Sequence, residues 1–305
     1  MLASTTTALA LGEAAPLAQA WLARVARQYG INAIFIKGAG LALHGLRAPR
    51  TSSDVDVLVE QSNMGAIREI LLRHGWSPRP TQFLDHHRPA HSESFVHPYW
   101  PCDLDVHWRF PGFLAPNDVV FNSLWTRRVS ANVANAQCSI PDWDSSVLLL
   151  ALHSLRSSKA HTRHNAEFVG LVQVVSSSRV RRLIELARQT GAVETLQPFW
   201  HAIGYAATSS AGAYYVEIRE WRALVESGGY GAYTWLRALN QAHGLPMKLR
   251  IIRRAVWPTR DDLRVMAPDT AGRTRVGFRI WRIWRGARRL PRAVRAMGNS
   301  RPVPR

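Results

Sequence analysis

Apolar residues recur at helical spacing over 16–29 (PLAQAWLARVARQY). Leu17, Trp21, Val25 and Ala26 share one side, and Pro16 stands near the start. A short apolar strand is predicted over 32–36 (NAIFI); the residues KGAG break it, and LALHGL fits a helical turn or two. A second strand is predicted over 54–59 (DVDVLV). A helix follows over 63–74, with Ser62 as its cap, Ile67, Ile70 and Leu71 inward and Gly75 closing it. A polar, histidine-rich loop, LDHHRPAH, precedes short strands predicted around 93–97 (ESFVH) and 102–109 (CDLDVHWR). Alternation of strand and helix up to about residue 141 reads as one α/β unit.

After PDWD (141–144) the texture changes. Residues 145–158, 165–176, 179–190 and 193–207 read as helices, and 212–245 adds more helix broken by SGGYGAY. The expected organisation is a domain over 1–141, a helical domain over 142–260 and a basic Arg/Trp-rich segment over 261–305. In that last segment Val276, Ile280, Ile283, Trp284 and Ala287 stand at helical spacing, with arginines on the remaining faces. The chain contains no internal repeat.

Composition sets outer limits. The 305 residues are 47% hydrophobic, which suits a chain with a core and excludes a disordered one. No apolar run approaches about eighteen residues, so no spanning helix is expected. The opening stretch has a short apolar patch with no basic residues before it, and Glu13 and Pro16 follow. It reads as the lead-in to a helix and not as a signal peptide. Cys102 and Cys138 are the only cysteines, too few for a disulfide framework, so the cytoplasm is the expected compartment. Lys+Arg outnumber Asp+Glu by 39 to 21, a net charge of +18. Most of the excess is arginine, whose planar fork suits phosphate and carboxylate. Net charge constrains non-specific partners more than mechanism.

Two carboxylates then stand out. Alternate strand residues share a face, so Asp54 and Asp56 point the same way. Like charges held close repel, and burial worsens the conflict; a hard cation such as Mg²⁺ resolves it. The alternative is a solvated pair on the open side of an edge strand. The segment CDLDVHW repeats the pattern, with Asp103, Asp105 and His107 on one face. A third carboxylate on a neighbouring strand would complete a two-metal site for in-line displacement. Before both strands, FIKGAG turns from a strand at Lys37 through Gly38 and Gly40, where backbone can approach a phosphate closely.

In order, the chain offers Lys37-Gly38, Arg50, Ser53-Asp54-Val55-Asp56 and Asp105-Val106-His107-Trp108. This series resembles the nucleotidyltransferases of the DNA polymerase β type, and more closely a family of uncharacterised bacterial nucleotidyltransferases. The likeness covers the first half well and continues more loosely through LLLALHSLRSSKAH and RRAVWPTRDDLR. Departures are Gly38-Ala39 at the turn, a long spacing to Asp54, and Glu167 as the acidic residue after the histidine segment.

The resemblance implies an α+β fold, a nucleotidyltransferase-type mixed sheet with flanking helices followed by a mainly helical domain. It implies Mg²⁺-dependent transfer of a nucleoside monophosphate from an NTP to an acceptor, with release of pyrophosphate. Asp54 and Asp56 would hold two Mg²⁺ ions, and Asp105 would bind the catalytic metal and help deprotonate the acceptor hydroxyl, with Asp103 the competing choice. Gly38, Ser53 and their neighbours would receive the phosphates, and Lys37 or Arg50 would neutralise the leaving pyrophosphate. The acceptor, whether small molecule, peptide or protein, has no motif to select it. The alternative is a non-catalytic protein of the same fold that holds an anionic partner on its basic surface.

Some residues carry structural readings as well. Lys37 would cap a strand end in solvent, Arg50 would pair with Asp54 or Asp56, and His44 and His107 would be core histidines satisfied by backbone. The histidines at 86, 87, 91 and 97 fit no standard zinc spacing. The Trp/Arg C-terminus would pack on the helical domain; the rival readings are an anionic membrane surface or an acidic or phosphorylated partner. No motif of a base-reading module is present, so nucleic acid is not indicated beyond the charge.

Overall fold

The computed structural model describes residues 9–81, 83, 85–87, 90–156, 162–208, 214–228, 231–259, 262 and 275–299. By density of internal contacts the chain forms two units. The first comprises 1–79, 91–152 and 167–209, and the second 80–90, 153–166 and 210–305.

The first unit is built on a five-stranded mixed sheet ordered β1-β2-β5-β4-β3. Its strands are β1 (Ala33–Phe35), β2 (Asp54–Val59), β3 (Ser77–Pro78), β4 (Ser92–His97) and β5 (Trp100–His107). Only β2 and β5 run parallel; β1 pairs antiparallel with β2, and β4 with both β3 and β5. Helix α1 (Leu11–Gln28) lies on one side of the sheet through Ala14, Ala15, Ala18, Leu22 and Ala26. Small residues on that stripe let the helix sit close to Val55, Val57, Leu104 and Val106. Pro16 lies inside α1, so the helix starts before the predicted position.

A hairpin absent from the sequence-based expectation covers the same side. Strands β6 (Val129–Val133) and β7 (Ala136–Ile140) form it, and it packs on α1 and β1. Its two-residue turn, Ala134-Asn135, has both φ angles positive (45° and 59°). That geometry matches the right-handed twist of paired strands, but the usual Asn-Gly signature is missing.

Helix α2 (Ala39–Leu43) follows the glycine turn, and α3 (Met64–Arg73) matches its predicted span closely. A 3₁₀ turn over Gln61–Asn63 precedes α3, and its cap is Asn63 where Ser62 was expected. Helix α4 (Asn117–Thr126) was also not foreseen. Then come α5 (Trp143–Leu155), α6 (Thr162–Val174), α7 (Ser177–Gln189) and α8 (Gln197–Ala202), the last much shorter than the helix expected over 193–207. The α+β class and the helical second half are those expected from the sequence.

The second unit contains α9 (Tyr215–Glu226), α10 (Ala232–Gln241), α11 (Leu245–Val256) and α12 (Arg275–Asn299). Helix α12 packs on α9 and α10. Among its described side chains the buried ones are Ala293 and Ala296, while Ile280, Ile283 and Trp284 are 63%, 43% and 55% exposed. The Ile280, Ile283 and Trp284 part of the stripe expected to pack is therefore exposed, and Ala293 and Ala296 are buried on the opposite side. The side chain of Val276, most of 261–274 and the Gly229-Tyr230 break lie outside the described residues.

Candidate active site

The parallel register sets the geometry. Asp54 stands opposite Asp103, Asp56 opposite Asp105, and Leu58 opposite His107. All these side chains leave the sheet on the face away from α1, because Val55, Val57, Leu104 and Val106 occupy the other.

Asp56 is the buried centre. Its side chain is 4% exposed and accepts from Lys37 Nζ at 2.5 Å and from His107 Nε2 at 3.0 Å. His107 Nε2 also lies 3.1 Å from Asp105 Oδ2, so one imidazole nitrogen joins two strands through two carboxylates. Asp105 accepts a further bond from Ser94 Oγ at 3.0 Å and remains 22% exposed. Asp54 accepts from Ser52 Oγ at 3.1 Å. Asp103 is turned to Arg79. Asp56, Asp105 and His107 bring ligand atoms within 4.8 Å of one another.

The electrostatics divide the carboxylates. Burial, helped by the charge of Asp56, raises the Asp54 pKa above its ordinary value despite Lys37 and Ser52. Burial would raise Asp56 too, but Lys37 and His107 outweigh it and its pKa is lowered. Burial likewise opposes ionisation of Asp105, yet His107, Lys37 and Ser94 hold it well below the usual carboxylate range. His107 is buried, which disfavours its charge, but hydrogen bonds to Asp105 and Asp56 raise its pKa.

A cleft of about 480 Å³ opens beside this cluster, within the usual range of small-molecule sites. Lys37, Gly38, Arg47, Arg50, Asp54 and Asp56 are on its walls. Gly38 has φ +60° and ψ −129°, a backbone state open to glycine, and it ends β1's run into α2. Helix α2 is only five residues long, so its dipole adds little. Arg47 donates to the Gly38 carbonyl at 3.3 Å and meets Glu167 Oε1 at 3.5 Å, while Arg50 reaches the same oxygen at 3.2 Å.

Lys37 therefore sits on Asp56 and not in solvent, and Arg50 pairs with Glu167 where Asp54 or Asp56 had been considered. His107 is a core histidine whose Nε2 meets two carboxylates and no backbone, while its buried Nδ1 has no hydrogen-bond partner among the described residues; His44 does use backbone, the Pro141 carbonyl at 2.8 Å. Ser53 is exposed and is not among the cleft-lining residues, whereas its neighbour Ser52 is. Asp105 and His107 are not among the cleft-lining residues. Sequence reasoning missed Arg47, Ser52 and the role of Glu167 as an arginine anchor. Among the described residues, His86, His87, His91 and His97 form no ligand group of three. Cys102 and Cys138 are buried free thiols, and burial pushes Cys102 up to about 11.

The donor set fits a hard divalent cation. Asp54, Asp56 and Asp105 offer carboxylate oxygens from one face, and the Asp54 carboxyl is raised first by burial and then by the neighbouring charge of Asp56.

One similar solved structure is an antigenic nucleotidyltransferase-like protein from Paracoccidioides brasiliensis, at 13% identity and TM-score 0.39, covering 65% of this chain and 95% of that one. Another is the antibiotic-resistance factor ANT(2'')-Ia, at 12% identity and TM-score 0.39, covering 61% and 95%. At these scores the likenesses say nothing of the site. No curated protein sequence matches the chain. The model of a family described as uncharacterised nucleotidyltransferase matches residues 11–207, the stretch that carries the aspartate strands, the glycine turn and Glu167, and the chain belongs to that family.

Proposed function

We propose that the chain transfers a nucleoside monophosphate from an NTP to an acceptor hydroxyl in a Mg²⁺-dependent reaction. The supporting observation is the in-register pair Asp56–Asp105 beside Asp54, at the edge of a cleft that also presents Lys37, Arg47 and Arg50. Asp54, Asp56 and Asp105 would hold two Mg²⁺ ions, which when bound supply neutralisation of the triphosphate and polarisation of the acceptor oxygen.

The chain's own residues do the rest. Gly38 brings backbone close to the β and γ phosphates, and Arg47 and Arg50 present guanidinium forks to them. The acceptor oxygen bonds to the α-phosphorus as the bond from that phosphorus to the bridging oxygen breaks, and the electron pair leaves with pyrophosphate. Lys37 offsets the charge that gathers on the leaving group. Asp105 accepts the hydrogen bond of the acceptor hydroxyl and takes its proton as the new bond to phosphorus forms. His107 holds Asp56 and Asp105 in place across the two strands. Arg79 ties Asp103 away from the cluster, which favours Asp105 as the third carboxylate.

One observation favours a second reading. Lys37 and His107 already neutralise much of the acidic cluster, as they would in a non-catalytic relative that binds an anionic partner. Titration calorimetry with each of the four NTPs, with and without Mg²⁺, separates the two. Catalysis requires Mg²⁺-dependent binding by the wild type that Asp54→Asn/Asp56→Asn abolishes. Absence of binding to every NTP moves the second reading ahead.

A further inference from the structure

Among the described residues, the second unit presents an apolar surface that none of its own helices covers. On α12, Ile280, Ile283, Trp284, Leu290 and Val294 are all 43% exposed or more. At 3.6 residues per turn they fall within an arc of about 120°. The helix is held from the opposite side, where Ala293 and Ala296 are buried and Arg282 is half-buried. One flank of the arc carries Arg288, Arg292 and Arg295. The Arg288 guanidinium lies 4.3 Å from the Trp284 ring centroid, so cation and aromatic ring are presented together.

Helix α11 repeats the arrangement. Leu245, Leu249, Ile252 and Val256 are 69%, 56%, 45% and 46% exposed and lie on one stripe. Ile251 is buried on another side of the helix, and Arg254 is drawn to Asp262 at 2.7 Å. Neither helix contains an acidic residue.

We infer that α11 and α12 form a docking surface for an anionic phospholipid bilayer, lying in its interface by their apolar arcs with the flanking arginines at the headgroups. Charge complementarity selects this occupant. A second copy of the chain would set arginine rows against arginine rows on a protein already at +18. An apolar arc this wide has no use on a phosphate backbone alone. Among the described residues no helix is long and apolar enough to cross a membrane, which leaves contact at the surface. Exposed Trp257 and Trp284 have the amphipathic ring that settles at headgroup depth. The inference rests on the second unit and not on the catalytic reading.

The test is flotation of the full chain with vesicles of phosphatidylcholine alone and of equimolar phosphatidylcholine and phosphatidylglycerol. The wild type should float with the anionic vesicles and bind the neutral ones far more weakly. Arg288→Gln/Arg292→Gln/Arg295→Gln should weaken anionic binding roughly a hundredfold, about fivefold per arginine. Ile283→Ser/Trp284→Ser should weaken it comparably while far-ultraviolet circular dichroism stays unchanged, since both side chains are exposed. Failure to float, or loss in the arginine variant alone, overturns the inference. So does concentration-dependent dimerisation without lipid that Ile283→Ser/Trp284→Ser abolishes.

Discussion

His107 Nε2 lies 3.0 Å from Asp56 Oδ1, in a buried pair that joins the final residue of β5 to the middle of β2. The contact is long-range in sequence and lies at the centre of the carboxylate cluster. Replacing the imidazole by an apolar ring leaves two carboxylates short of a partner. His107→Phe is expected to lose about 3 kcal/mol at neutral pH, measured by urea denaturation.

The same contact sets a pH dependence. The folded-state pKa of His107 is raised above its ordinary 6.5. Its stabilisation is fully present below about pH 6.5 and is lost as pH rises through the higher folded value. Melting temperature against pH should fall across that alkaline window in the wild type. His107→Phe should show no such fall; an identical profile in both proteins would refute the assignment.

Asp105 acts at the other end of the scale. Its folded pKa is depressed, so its contribution is present above its unfolded pKa of about 3.9 and lost as pH falls toward the lower folded value. Asp105→Asn should flatten the acid limb of the stability curve and cost about 2 kcal/mol at neutral pH. An unchanged acid limb would show that His107 does not hold this carboxylate.

On the proposed reading, Lys37 and a divalent cation would compete for the Asp56 carboxylate. Lys37→Met leaves Asp56 with only His107, and thermal shift in EDTA should register a loss of about 3 kcal/mol. Millimolar Mg²⁺ should recover more of the melting temperature in this variant than it adds to the wild type. Equal Mg²⁺ shifts in the two proteins would argue against a cation at Asp56.

Asp144 provides a structural control away from the cleft. It is buried in the first turn of α5, with Arg127 and Arg179 each at 3.2 Å and Arg182 at 3.3 Å. Asp144→Ala removes the buried anion; Arg127 keeps Asp142 at 3.0 Å, and Arg179 and Arg182 turn to solvent, so the loss is about 2 kcal/mol by denaturant titration. Nucleotide affinity of the remaining folded protein should be unchanged.

Much of the site could be read from residue order, because β2 and β5 both alternate aspartate with valine or leucine. That period of two puts the acids on one face and the aliphatics under α1, whatever the rest of the chain does. The cation partners could not be read in this way. Arg47 and Arg50 meet Glu167 across more than a hundred residues, and no local pattern announces such a meeting. The β6–β7 hairpin escaped because Ala134-Asn135 adopts a positive-φ turn without glycine. On α12 apolar spacing predicts a buried stripe, and the structure leaves Ile280, Ile283 and Trp284 exposed. Small residues on the other side, Ala293 and Ala296, allow the closer helix approach.

The matching Asp-X-Asp spacing on β2 and β5 has one more consequence. Two rulers with the same graduation agree at more than one offset. Sliding β5 by two residues would still set aspartate against aspartate and keep the acids on one face. The carboxylates alone cannot fix the alignment of the strands that carry them. What breaks the degeneracy is unmatched: Leu58 opposite His107 at one end, the Asp103 amide on the Ser53 carbonyl at the other, and the irregular pairing between Phe95 and His97 on β4. Substitutions at Leu58 or Phe95 would blur the centre without replacing any of its carboxylates or His107.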